Sequence, residues 1–398
     1  MSQADIQALQ GKSIALVSTV PFFLVNQLAT HIRNLRRLGM EVTVVTSRGR
    51  ELDVFSDDPG IRVVNIEIPR RIRPLADFRA LITLFRLFRG HKFSLVHSTT
   101  PKAGLLCAIA GRLAGIPIRL HTFTGQVWTV KSGFMRMFLQ SLDRLILHLN
   151  THCYADSPSQ QQFMVDSGVA TADAISVYGP GSLAGVDVER FSPERFSENE
   201  KKLLIRELGL KNDPLILTFI GRITEEKGVR ELLAAFRQLQ KRHASMTLLM
   251  LGPVDDESGR LIQHAFVEVS GVHWQGYVQD PERYLAITDV LCLPSYREGF
   301  GTVVVEAAAM AVPSIGTQIP GLVDAIENGT TGILVPVRDV DALAESIESL
   351  VRDPLLLQKM KIAARERCLR EFDSRLINMN VAREYARWLR MEGQTTNG

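Results

Sequence analysis

The chain has 398 residues, 45% hydrophobic and 22% charged, the balance of a folded protein with room for two domains of similar size. Its 46 Lys and Arg against 43 Asp and Glu are unevenly spread: residues 1–190 carry a net +7 and the remainder −4, so the first half invites an anionic partner. No apolar run is long enough to cross a bilayer, the first residues lack the basic region of a signal peptide, and the four cysteines form no Cys-x-x-Cys pair, so a cytoplasmic protein with free thiols is expected.

Strands and helices alternate along the sequence. In the first half, strands are expected at 13–20, 41–46, 61–68, 95–98, 118–124, 152–156 and 174–177, with helices at 26–38, 75–88, 102–114 and 133–149. An irregular segment around Gly179-Pro180-Gly181 and Phe191-Ser192-Pro193 reads as the connection between domains. After a helix at 198–208 the pattern restarts, with strands at 215–221, 247–252, 272–276, 290–294, 314–317 and 332–335. Helices at 341–351, 355–370 and 374–390 follow. Such alternation specifies α/β domains, each a doubly wound parallel sheet covered by helices. Ligands of these sheets bind just outside the strands' carboxyl ends, so the chemistry is expected in a cleft between the halves.

The most informative stretch is Pro294-Ser295-Tyr296-Arg297-Glu298-Gly299-Phe300-Gly301-Thr302 with Glu306. A buried strand precedes it and a helix follows. Glu298 then stands at a strand's carboxyl end, and Gly299 and Gly301 let backbone approach a ligand at a helix start, a geometry suited to phosphate. Glu306 lies about one turn into that helix, on the face that could reach the same ligand. Gly221-Arg222 ends another strand, and Glu225-Glu226-Lys227-Gly228 leads into a helix; Arg222 is a bidentate phosphate partner by shape and Lys227 a point charge. Gln275-Gly276-Tyr277-Val278 could read a base through its backbone, and Ile319-Pro320-Gly321-Leu322 forms a further tight loop before a helix.

In this order, Gly221-Arg222, Lys227-Gly228, Gly276-Tyr277-Val278, Pro294-Ser295, Glu298-Gly299-Phe300-Gly301, Glu306-Ala307, Gly316 and Pro320-Gly321 resemble the donor-binding half of retaining family 4 glycosyltransferases. The resemblance spans nearly the whole chain. It implies the GT-B architecture, two Rossmann-like domains facing a central cleft, with residues 1–190 binding acceptor, joined by the helix 374–398, and residues 191–373 binding donor. It further implies that Glu298 meets the donor sugar, that Glu306 binds the ribose, and that Arg222 and Lys227 neutralise the leaving diphosphate. Backbone around Gly221, Val278, Gly299, Phe300, Gly301 and Thr302 would complete the donor site. His121, at the end of a first-half strand, matches a family histidine that faces the donor sugar.

Within that family, Pro21-Phe22-Phe23, Thr100-Pro101-Lys102 and His121-Thr122-Phe123-Thr124-Gly125-Gln126-Val127-Trp128 are similar to bacterial transferases that extend undecaprenyl-diphosphate-linked sugars, often with N-acetylhexosamine donors. The resemblance makes Phe22, Phe23, Lys102, Thr124 and Gln126 acceptor-side candidates. The usual glycine pair of the first strand–helix loop is missing here, so a close approach of that backbone to phosphate is in doubt. No Asp or Glu occurs from 78 to 142, where nine Lys and Arg do. The helix at 78–89, with Arg79, Arg86 and Arg89 on one side and apolar residues around the rest, is therefore read as a contact with an anionic membrane surface.

The expected reaction moves a sugar from a UDP-sugar to the lipid-linked saccharide during surface polysaccharide assembly, with retention and without a cofactor or metal. Asp339-Val340-Asp341, the one Asp-x-Asp pair, suits helix capping better than metal binding. Competing readings are a nucleotide-sugar epimerase of the same fold, a pyridoxal-phosphate glycan phosphorylase, a non-catalytic sugar or nucleotide binder, and a transferase with a UDP-hexose or GDP-mannose donor or a soluble acceptor. The basic half carries no nucleic-acid recognition motif.

Overall fold

The computed structural model describes residues 1–69, 72–210, 215–243, 245–254, 256–266 and 269–395. The chain divides into two compact units, Met1–Gly185 together with the segment from Ser374 onward, and Val186–Asp373.

The first unit is built on seven strands, β1 (Ser13–Val17), β2 (Glu41–Thr46), β3 (Ile61–Asn65), β4 (Leu95–Thr99), β5 (Ile118–Phe123), β6 (His152–Ala155) and β7 (Ile175–Val177). All pair in parallel, in the order β3-β2-β1-β4-β5-β6-β7. β1, β2 and β4 are buried almost end to end, as strands covered on both faces must be. The helices are α1 (Gln3–Leu9), α2 (Pro21–Arg37), α3 (Pro74–His91), α4 (Pro101–Leu113), α5 (Gly133–Leu149) and α6 (Pro158–Asp166). Four of them start on proline, whose fixed φ and missing N–H suit the first helical position.

The second unit has six parallel strands, β8 (Leu215–Ile220), β9 (Met246–Leu251), β10 (Val272–Gly276), β11 (Val290–Leu293), β12 (Ser314–Thr317) and β13 (Gly332–Val335), ordered β10-β9-β8-β11-β12-β13. Its helices are α7 (Glu198–Glu207), α8 (Val229–Gln240), α9 (Glu257–Phe266), α10 (Pro281–Leu285), α11 (Thr302–Ala309), α12 (Leu322–Ala325), α13 (Val340–Arg352) and α14 (Pro354–Arg367). α8 shows the rule that places them: Val229, Leu232, Leu233, Phe236 and Leu239 recur at helical spacing and are buried. The last helix, α15 (Ser374–Thr395), returns to the first unit and packs on α1 and α2. It buries Ile377, Val381, Tyr385 and Ala386 there.

Three sequence expectations change. The boundary falls at 185 rather than 190, because Val186 donates its N–H to Phe372 O at 2.8 Å and Arg190 pairs with Glu282, which ties residues 186–190 to the second unit. α2 starts at Pro21, so Phe22 and Phe23 sit in a first helical turn and not in an open loop. Beyond its first turn, α3 gives its apolar residues to the sheet: Ala80, Leu84 and Phe88 are buried and Leu81, Phe85 and Leu87 pack against the same core, leaving Arg79, Arg86 and Arg89 as a solvated stripe, while Leu75 and Phe78 at its start stay exposed. Among the described residues, no helix is long and apolar enough to cross a membrane.

Candidate active site

In the second unit, loops from three adjacent strands meet at the carboxyl edge of the sheet. β8 delivers Gly221 and Arg222, then a short turn over Glu225–Lys227; β11 delivers Pro294 to Gly301; β12 leads to Gly321. Two glycines make this contact possible. Gly228 has φ +66°, and a Cβ there would lie 1.9 Å from Pro294 O. A Cβ on Gly321, at φ +88°, would lie 2.5 Å from Gly299 O. The Tyr296 N–H donates to Glu226 O at 2.8 Å and ties the first two loops.

The charged groups are paired across these loops. Lys227 Nζ donates to Glu298 Oε1 at 2.5 Å, and Ser295 Oγ donates to the same oxygen at 2.7 Å. Both side chains of the pair are largely covered, 18% and 13% exposed. Glu226 accepts from Arg222 at 2.9 Å and from Arg297 at 3.2 Å. Burial alone would raise the Glu226 carboxyl, but Arg297 and then Arg222 outweigh it and hold it low. Gly301 starts α11 without a side-chain cap.

Glu306, on α11, is shielded among protein atoms. Burial pushes its carboxyl up to about 7, with Arg190 opposing and Glu282 adding to the effect. Arg190 holds Glu282 through two hydrogen bonds of 3.0 and 2.8 Å. Gly299 and Thr302 stand half-buried beside the cluster, whereas Phe300 is buried against Phe372 and offers a ligand only its backbone. Val278 follows the edge strand β10, two strands from β8, and its side chain packs into a small core cluster. Glu226, Arg297 and Ser295 were not singled out as site residues in the sequence, and neither was the Arg190–Glu282 pair. Only Pro294-Ser295 carried a signal, as part of the motif.

In the first unit the carboxyl edge gathers buried polar side chains. His121 lies near the end of β5, 1% exposed, with Nδ1 in a 3.0 Å hydrogen bond with Ser98 Oγ and Nε2 without a partner. Burial drives its pKa down to about 3, so the imidazole is neutral. The start of α4 passes close: a Cβ on Gly104 would come within 2.4 Å of the ring. Ser18 Oγ, Thr46 Oγ1 and Thr99 Oγ1, all at or just past strand ends on this edge, are also buried and unpartnered. Buried polar atoms in this state are ones that a water or a polar ligand would satisfy. Thr100 holds φ +69° at the turn into α4, a strained conformation for a branched residue.

The acceptor-side candidates divide. Thr124 lies half-buried just past β5. Gln126 is buried with both amide atoms engaged, Nε2 on Met164 Sδ and Oε1 on Gln160, so its side chain serves the interior and is not offered to a ligand. Lys102 is not a free cation, because both carboxylate oxygens of Asp77 on α3 accept from it at 2.9 and 3.2 Å. Phe22 is 42% exposed, whereas Phe23 packs on the core. Among the described residues no group of three His, Cys, Asp or Glu could hold a metal ion.

Comparisons with known proteins agree with this division. Residues 25–181 match the model of a glycosyl transferase 4-like domain, and residues 200–367 that of glycosyl transferases group 1. The capsular polysaccharide biosynthesis glycosyltransferase CapM of Staphylococcus aureus is 32% identical over 353 residues, covering 87% of this chain and 90% of CapM. An N,N'-diacetylbacillosaminyl-diphospho-undecaprenol alpha-1,3-N-acetylgalactosaminyltransferase of Campylobacter jejuni is 24% identical, over 83% of this chain and 87% of its own length. Among solved structures, Anabaena HepE in complex with UDP and glucose superposes with a TM-score of 0.77 at 19% identity, over 94% of this chain and 98% of that one, and shares the GT-B fold. With both family models matched in sequence and a full-length relative at this identity, the chain belongs to the family 4 glycosyltransferases.

Proposed function

We propose that the enzyme transfers an N-acetylhexosamine from a UDP-sugar to an undecaprenyl-diphosphate-linked saccharide, with retention and without metal, at the inner face of a bacterial membrane during surface polysaccharide assembly. The observation that carries the reading is the Lys227–Glu298 pair at the uncapped start of α11, with Arg222 on the neighbouring loop. A donor diphosphate would take Lys227 and Arg222, and its sugar hydroxyls would take the released Glu298 carboxylate. The helix end and both cations would then stabilise the charge that grows on the leaving phosphate as the anomeric bond breaks. The leaving phosphate oxygen would accept the acceptor's proton, with attack on the same face. The neutral, buried His121 suits a hydrogen bond to a sugar hydroxyl, not proton transfer near neutral pH.

Support for the lipid-linked acceptor comes from the activity for which the Campylobacter relative is named, and support for UDP from the ligand of the Anabaena structure. The test is a panel of UDP- and GDP-sugars, each assayed for hydrolysis and for transfer to a synthetic polyprenyl-diphosphate sugar. Transfer from a UDP-N-acetylhexosamine alone supports the proposal. Exclusive use of a GDP-sugar or of a soluble acceptor, or turnover of donor to an epimer without acceptor, refutes it.

A further inference from the structure

The first two turns of α5 project from the first unit without a covering element. Residues 131–138, Lys-Ser-Gly-Phe-Met-Arg-Met-Phe, are all exposed. Phe134 is 80% exposed, Met137 67% and Met135 46%, and the Phe134 and Phe138 rings stack on each other at the surface, 6.4 Å between centroids. Helix packing begins only further along, where Asp143 and Ile146 are buried and Leu139 and Leu147 meet a core cluster. An all-round apolar helix end in water is not ordinary surface composition.

The projection has a firm base. Trp128, just upstream, is buried, stacks on Phe163 with ring centroids 5.1 Å apart, and donates Nε1–H to Asp143 Oδ2 at 2.8 Å. Arg136 lies over the same indole at 5.4 Å. The tip is thus held out by a buried aromatic bracket.

Its charge selects the partner. Lys131 and Arg136 flank the apolar residues, and no acid occurs from 78 to 142. The topology adds a second contact. Every strand in this sheet is parallel, so the helices that follow β3 and β5 both start at the carboxyl edge, with α4 packed between them. At the start of α3, Leu75 is 80% and Phe78 60% exposed. Two helix starts with exposed apolar residues therefore stand on one edge of the sheet that also gathers His121 and the unpartnered hydroxyls; on α3 the neighbouring Arg73 and Arg79 are exposed, and Asp77 between Leu75 and Phe78 is paired with Lys102.

We propose that residues 131–138 insert into the interfacial layer of an anionic bilayer, with the start of α3 as the accessory contact. Aromatic and Met side chains enter the acyl boundary while Lys131 and Arg136 remain among the headgroups. This deepens the membrane-side reading of the proposed function and moves its centre from the middle of α3 to α5.

The test uses the full chain and vesicles of phosphatidylethanolamine with phosphatidylglycerol, and needs neither donor nor acceptor. Phe134→Ser/Met137→Ser should weaken co-sedimentation at least about tenfold, while transfer to a soluble acceptor analogue keeps its rate. Because all four native cysteines are buried, Met137→Cys can be labelled with an environment-sensitive dye, which should shift to the blue on adding vesicles. Full vesicle binding by the double variant, or no dye shift at position 137, overturns the proposal. So does a loss of self-association with vesicle binding intact, which would make the patch a contact between copies of this chain. Failure of the vesicle test with transfer to a lipid-linked acceptor retained would leave the transferase reading standing.

Discussion

Replacing Glu306 by Gln should stabilise the protein and impair it at once, and the two effects should separate with pH. An unfolded glutamate titrates near 4.5, and Glu306 in the fold titrates at about 7. Between these values the folded chain binds a proton that the unfolded chain has lost. The stability linked to this group is therefore full below the unfolded value, falls as pH rises, and is gone above about 7. The gap amounts to roughly 3 kcal/mol at pH 8 and under about 1 kcal/mol at pH 5. Glu306→Gln removes the buried charge and its repulsion from Glu282, so the variant should gain about that much at pH 8 and little at pH 5. For a domain of this size the pH 8 gain corresponds to roughly 6–12 °C in Tm. Calorimetry of the full chain at both pH values reads it directly. Donor binding should move the other way, because a hydroxyl bonds a carboxylate more strongly than an amide. KM for the nucleotide sugar should rise about tenfold in Glu306→Gln, and in the parent enzyme it should rise as pH falls below about 7. A stability gain equal at pH 5 and pH 8, or none at either, refutes the assignment of a shielded, proton-holding Glu306.

Glu298→Gln should lower kcat/KM for transfer by about a thousandfold while tightening the binding of UDP alone, since Lys227 loses its internal competitor; unchanged transfer removes Glu298 from the site. Gly228→Ala should lower stability by roughly 2 kcal/mol or more, because the new methyl meets Pro294 O in a positive-φ backbone, and a melt unchanged from the parent would refute the close approach. Transfer should survive EDTA, and its abolition with rescue by a divalent cation would overturn the metal-free reading. Asp77→Asn should free Lys102 and steepen the salt dependence of anionic-vesicle or acceptor binding; an unaltered salt dependence would show that Lys102 faces neither.

The parallel strands were legible because each is a short apolar run bounded by turn residues, and the loops at their carboxyl ends could be located from those boundaries alone. The pairing of Lys227 with Glu298 was not legible, since 71 positions separate them and only the sheet order sets β8 beside β11. Glu226 and Arg297 escaped for the same reason: each is an ordinary charged residue until the two loops are joined. The inward turn of the Gln126 and Phe300 side chains was not legible either, because a loop's sequence does not say which side chain turns inward. α3 and α5 show the limit most clearly. Both bring basic and apolar residues into the acid-free stretch 78–142, and periodicity alone favoured α3. Depth in the fold decides between them: past its first turn α3 spends its apolar residues on the sheet, and α5 begins before its packing does.

The charges of the β8 and β11 loops are already balanced against one another, and on the proposed function this bears on selectivity. Arg222, Lys227 and Arg297 are held by Glu226 and Glu298, so a diphosphate must break an existing ion pair to gain a cation. Taking Lys227 leaves Glu298 with Ser295 as its remaining partner in a largely covered position, and an under-satisfied carboxylate there is costly. On the proposed assignment, only a ligand that brings hydroxyls to Glu298 along with a diphosphate to Lys227 replaces both bonds. A bare nucleoside diphosphate replaces one. The same Lys227–Glu298 pair would thus favour the intact donor over the spent product, and the exchange of partners would couple recognition of the sugar to neutralisation of the leaving group.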